Sequence, residues 1–176
     1  MGGELSKRWN LSLRVIEGIP VDRARVRITL TYDVTDRLRV GLEANPKDED
    51  YGLLVNYRVW DETDVRPALI VGTSSDRIGT PSGRAYYATF SKDLEAWTGL
   101  PIAPYVGTAF GEYEDAFELV GGMVVRWSKR LVSTHVWDGH NLHHMLDYFV
   151  DDWRIGVVVA EQGSEHYVGG SVGFRF

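Results

Sequence analysis

Hydrophobic and polar positions alternate along most of this chain. In the segment 23–34, Ala24, Val26, Ile28, Leu30, Tyr32 and Val34 hold one parity, and Arg23, Arg25, Arg27, Thr29, Thr31 and Asp33 hold the other. A strand sends successive side chains to opposite faces, whereas a helix would scatter these charges around its circumference. The same separation recurs. Leu38, Val40, Leu42 and Ala44 oppose Arg39, Gly41, Glu43 and Asn45, and Tyr51, Leu53, Val55, Tyr57 and Val59 oppose Gly52, Leu54, Asn56, Arg58 and Trp60. Further on, Phe117, Leu119, Met123, Val125 and Trp127 oppose Glu118, Val120, Gly122, Val124 and Arg126. Trp153, Ile155, Val157 and Val159 oppose Arg154, Gly156, Val158 and Ala160.

Turn signals at clusters of Gly, Pro, Asp, Asn and Ser divide this pattern into about twelve strands, with ten to twelve compatible with the signals. They fall roughly at 9–17, 23–34, 37–46, 50–61, 65–75, 83–92, 102–113, 116–128, 130–138, 142–150, 153–161 and 167–176. Each has about 9 to 12 residues, longer than the usual strand of soluble sheets and close to what crosses a bilayer at a tilt. Ser91–Trp97 is expected to form one helical turn within a connection. The chain reads as all-β, a closed up-and-down antiparallel transmembrane barrel at 9–176 preceded by a tail at 1–8.

A soluble calycin-like barrel binding a small apolar ligand also alternates, so the aromatic positions matter. With strands running up and down, Trp9, Trp60, Trp97, Trp127, Trp153, Phe174 and Phe176 gather at the end holding the termini. Tyr51, Tyr86, Tyr113, Phe117, Trp137 and Tyr167 gather at the other. Two such bands match the interfacial girdles of membrane barrels, although Trp60 sits on the polar parity. The two readings predict opposite interiors: polar for the membrane barrel, apolar for the soluble one.

Composition narrows the chemistry. A net charge of −6 opposes generic nucleic-acid binding. With no cysteine, disulfides, thiolate metal sites and cysteine nucleophiles are excluded. The start, Met1–Trp9, has no apolar run of a secretory signal, which leaves a cytosolic protein or a mature region whose signal was removed. No run approaches a membrane-spanning helix.

The even strand count, the short turns and a final strand ending Val172-Gly173-Phe174-Arg175-Phe176 resemble bacterial outer-membrane β-barrels. The resemblance implies a porin-like passive channel or a barrel subunit of an envelope assembly. It also implies a bacterial outer-membrane location after loss of a signal peptide, and a C-terminal signal at Val172, Phe174 and Phe176 read by the barrel assembly machinery. Its implied partners are the lipid bilayer, small anionic solutes or envelope proteins. More loosely, the runs Pro67–Thr73, Gly83–Lys92 and Trp137–Asn141 are similar to barrels associated with exopolysaccharide export.

In a barrel the polar parity faces the lumen. The expected lumen-lining residues are Arg25, Arg27, Arg39, Glu43, Arg58, Glu118, Arg126, Asp147, Arg154 and Arg175. An arginine wall would favour anions, while pairing with Glu43, Asp33, Asp147 and Glu118 would make a structural ladder. The connections at the end away from the termini are short apart from Ser75–Ser82, and without a long loop no plug is expected. The run Asp138–His144 is expected to be an ordinary turn, because His143 and His144 of a strand face opposite ways. No enzyme motif, metal or cofactor is expected.

Overall fold

The computed structural model describes residues 7–176, so most of the expected tail at 1–8 lies outside the described residues. Twelve strands close into one antiparallel barrel in which each pairs with its sequence neighbours and the last returns to the first. They are β1 (Trp9–Ile16), β2 (Val26–Asp33), β3 (Leu38–Asn45), β4 (Asp50–Trp60), β5 (Ala68–Ser75) and β6 (Arg84–Ser91), followed by β7 (Ile102–Gly111), β8 (Ala116–Arg126), β9 (Leu131–Trp137), β10 (Leu142–Val150), β11 (Trp153–Gln162) and β12 (Glu165–Arg175). Two single-turn helices interrupt the connections, α1 (Asp22–Arg25) and α2 (Glu95–Thr98). Alternation explains the architecture. Most strands have one apolar face and one face of polar or small residues, and closure leaves no unpaired edge.

The seam between β1 and β12 runs from Asn10↔Arg175 to Ile16↔Gly169. Trp9 and Phe176 extend it by exchanging backbone N–H···O bonds of 2.9 and 3.0 Å. Their rings stack, and Tyr32, Phe174 and Trp153 continue the cluster around the near end, where the termini lie. Val172 and Phe174 fall on the outer face, opposite Leu13 and Leu11.

Polarity is inverted relative to a water-soluble core. Leu42, Leu53, Phe117 and Leu119 are 60–74% exposed, whereas Glu43 and Asn45 are each 2% exposed. The wholly apolar interior that the soluble alternative predicted is therefore not what the described residues show. One small apolar cluster does exist, formed by Ile16, Ile19, Ala24, Val158 and Ala160 with Val21, Ile78, Met145 and Tyr167. It sits at the far end, inside the mouth.

Three sequence expectations change. Residues 23–25 leave the strand to form α1, because Arg23 is drawn into the far mouth and an Asp22–Arg25 ion pair at 2.8 Å fits the turn. Tyr167 faces inward opposite Ala160 and joins the apolar cluster rather than an outer girdle. Trp60 faces outward after all. A bulge between Arg58 and Trp60 shifts the register so that Trp60 pairs with Leu69, and its ring lies 6.4 Å from Phe90. An extra residue in one strand reverses the facing of everything beyond it.

Candidate functional site

The lumenal charges divide into two groups rather than one wall. At the near end, Arg39 pairs with Asp33 at 2.6 Å, Arg175 reaches the same carboxylate at 3.5 Å, and Arg58 pairs with Asp61 at 2.8 Å. Lys7, Arg8, Arg39 and Arg175 line a cavity of about 270 Å³ with Asp33 and Asp36, making a vestibule with a basic excess. Arg126 also lies at the near end, where it pairs with Asp93 and Glu95 at 2.8 Å each and ties down the α2 connection. That contact, with the backbone N–H of Glu95, holds the Asp93 carboxyl below its ordinary range.

Deeper in the barrel, Arg27 Nε donates to Glu43 at 2.7 Å and Asn45 donates to the same carboxylate at 3.2 Å. Arg14 lies directly opposite Arg27 across the β1–β2 register. Arg154 and Asp147 face each other at 3.8 Å on β11 and β10. Glu118 stands toward the far rim, 4.0 Å from His140. Two inward glycines make room for tyrosines: an ideal Cβ on Gly72 would lie 2.5 Å from the Tyr87 hydroxyl, and one on Gly122 would lie 2.6 Å from that of Tyr105.

Arg25 is not a wall residue. Its Nε donates to the Ile19 carbonyl at 2.8 Å and the side chain stays half exposed on α1. Its neighbour Arg23 is the organising residue, 4% exposed. Arg23 Nε donates to the Thr80 carbonyl at 2.8 Å, Nη1 to Gly83 at 3.2 Å, and Nη2 to Asp76 and Arg77 at 3.3 and 3.2 Å. The planar guanidinium fork thus gathers the β5–β6 connection (76–83) against the β1–β2 connection (17–25). Burial lowers the Arg23 pKa from its ordinary value, while the Asp50 and Asp76 carboxylates act in the opposite sense. These two connections are thus tied together at the far mouth, where no plug was expected.

At the same end, Asp138 accepts from the backbone N–H groups of His140 and Asn141 at 2.9 and 2.8 Å, and it lies 2.8 Å from His143 Nε2. Burial pushes this carboxyl up, but those hydrogen bonds outweigh burial and leave its pKa below the ordinary value. A lowered folded pKa means that the group's stabilisation is full above the unfolded value of about 3.9 and is lost as pH falls through the folded value. Asp138→Asn is accordingly expected to flatten the acid limb of the stability profile below about pH 4. Unfolding midpoints measured from pH 2 to 7 would check this; parallel acid limbs for the two proteins would refute it.

His143 and His144 do face opposite ways. His144 lies on the outer wall, its Nδ1 2.7 Å from that of His135, and Ser133 and Trp127 continue this polar chain. Glu114, Glu118 and His140 bring ligand-capable atoms within 4.8 Å of one another, an exposed acidic group of a kind that is common without an ion.

The sequence reading passed over Arg14, Arg23, Asp138 and His143 as site residues. Arg14 had a signal, since it follows Asn10 and Ser12 on the polar parity of the first strand. Arg23 had none, because its acceptors are backbone carbonyls more than fifty positions away.

Among solved structures, the chain is similar to a mutant of the Rh. blastica porin, with 10% sequence identity and a TM-score of 0.42 over 86% of this chain and 55% of that one. The chain spans about half the length of that porin. No protein-family model and no curated protein matches it. The architecture is a closed, antiparallel, up-and-down barrel of twelve strands. What the barrel does is read from its own side chains.

Proposed function

We propose that this chain spans the bacterial outer membrane and forms a narrow anion-preferring channel whose far mouth is held shut by the Arg23 cork. The carrying observation is the inversion of polarity: large apolar side chains cover the outside while Arg23, Glu43 and Asn45 are buried inside. In water that belt would be an unusually large exposed apolar surface, and in lipid it is the required one. The aromatic cluster at the seam suits the near headgroup level, and the barrel assembly machinery would read Val172, Phe174 and Phe176 on it.

The membrane reading makes a depth-dependent prediction. Leu42→Arg, at the middle of an outer face, should destabilise the lipid-embedded barrel by about 2–4 kcal/mol, and Tyr51→Arg at the rim by about 1 or less. Reversible unfolding in lipid vesicles measures both. Equal tolerance of the two, with a monodisperse protein that needs no detergent, would refute the membrane reading.

Selectivity tests the channel itself. Planar-bilayer recordings of the Arg23→Ala barrel, whose far mouth is released, should show anion over cation permeation, reduced several-fold when Arg14→Gln, Arg39→Gln and Arg175→Gln are added, because basic side chains lower the barrier for negative solutes. A folded, inserted barrel that conducts nothing even with Arg23→Ala or Ile19→Ala would instead favour a structural subunit of an envelope assembly, including a polysaccharide-related one.

A further inference from the structure

Behind the cork, the far half of the lumen holds two adjoining cavities of different character. One, of about 260 Å³, is lined by Arg14, Arg23, Arg27 and His143. The other, of about 310 Å³, is lined by Tyr87, Tyr105, Ala109 and Val120. They share Ser74–Arg77, Val136 and Asp138 as a common wall, so they are compartments of one space. Together they fall within the roughly 300–1,000 Å³ of small-molecule sites.

The basic compartment carries unmet hydrogen-bonding capacity. Glu43 is engaged by Arg27, and Asp138 is engaged by His143 and two backbone N–H groups. Arg14 Nε and His143 Nδ1 remain buried without a partner, and the His143 side chain is only 3% exposed. Buried polar atoms are rarely left unpaired in a native fold, so two on one cavity point to a missing oxygen-rich group. A carboxylate or phosphate there would accept from the Arg14 guanidinium beside His143.

The second compartment is charged only at its far-rim end, where Asp76, Arg77, Glu114, Glu118 and Asp138 line it. From β6 to β9, the inward positions between Glu118 toward the far rim and Arg126 at the near end carry no charge. They present tyrosine rings, alanine, valine and glycine with Thr89, Ser91 and Thr134, an uncharged surface suited to a largely apolar body.

We propose that the two compartments form one binding site for a single-chain amphiphilic anion, with its carboxylate or phosphate head at Arg14 and His143 and its apolar tail along Ala109 and Val120. The inference rests on the membrane-barrel reading but not on conduction.

The test uses the barrel in nanodiscs of zwitterionic lipid, with empty discs as reference, titrated with decyl phosphate, decanol and inorganic phosphate. Decyl phosphate should bind saturably and at least about tenfold more tightly than either control. Arg14→Gln and Ala109→Phe should each weaken it by about tenfold or more, the first by removing the head contact and the second by filling the tail compartment. Heat-modifiable mobility confirms that each variant is folded; if Arg14→Gln is not, Arg14→Lys and Ala109→Phe carry the comparison. Inorganic phosphate or decanol binding as tightly as decyl phosphate would overturn the proposal, as would unchanged affinity in the folded variants or absence of saturable binding. Saturable binding in a barrel that conducts nothing would remove the channel and leave this site. Conduction without binding would do the reverse.

Discussion

Glu43→Ala is expected to destabilise the barrel by about 3–5 kcal/mol, the range for removing one partner of a buried ion pair. The Glu43 carboxylate has no solvent exposure, pairs with Arg27 and accepts from Asn45. Arg14 lies opposite Arg27 in the register, and Glu43, on the next strand, is the carboxylate that pairs with Arg27 and offsets the charge of the two guanidinium groups. Without it, like charges face each other in a low-dielectric lumen and Asn45 loses an acceptor. Glu43→Gln should cost less, since shape and one hydrogen bond survive. Glu43→Leu with Arg27→Met should lie nearer the parent than Glu43→Ala, because exchanging a buried pair for apolar groups of similar volume is often neutral. Equilibrium unfolding followed by tryptophan fluorescence ranks the three. A loss under about 1 kcal/mol for Glu43→Ala would place the pair in a screened, surface-like environment.

The wall of this barrel was legible in the sequence because period-two alternation is enforced at every strand position. Val26, Ile28, Leu30 and Tyr32 had to share a face, and Arg27, Thr29, Thr31 and Asp33 the other. What alternation cannot express is a change of phase or a change of element. The bulge at Val59 moved Trp60 to the outer face without altering composition. Residues 23–25 continued the strand pattern without a break, yet they form α1, because tertiary acceptors for Arg23 override the local preference. The site was less legible for the same reason. Arg27, Arg39 and Arg175 were named from parity, but Arg23, Asp138 and His143 depend on contacts between the connections and strand ends at the far mouth. Charge sign along a strand predicts a facing direction; it does not predict which partner neutralises the charge.

Arg23→Ala is expected to open the far mouth and raise conductance. The guanidinium supplies donors to four carbonyls of the 76–83 connection, so truncation leaves those acceptors without their common partner. A hydrogen bond to a charged group contributes about 1.5–3 kcal/mol. Losing a net of about 3 kcal/mol would move the closed-to-open ratio on the order of a hundredfold. Arg23→Lys should be intermediate, because one ammonium on a flexible stem cannot reproduce the planar fork. Arg25→Ala should change little: its ion pair with Asp22 is exposed and worth about 0–1 kcal/mol. Single-channel recordings of the three variants in one bilayer composition separate these cases by open fraction. If Arg23→Ala stays as closed as the parent while remaining folded, closure belongs to the apolar packing of Ile16, Ile19 and Ala24 against Val158 and Ala160, and widening that cluster with Ile19→Ala would then be the substitution that opens the barrel.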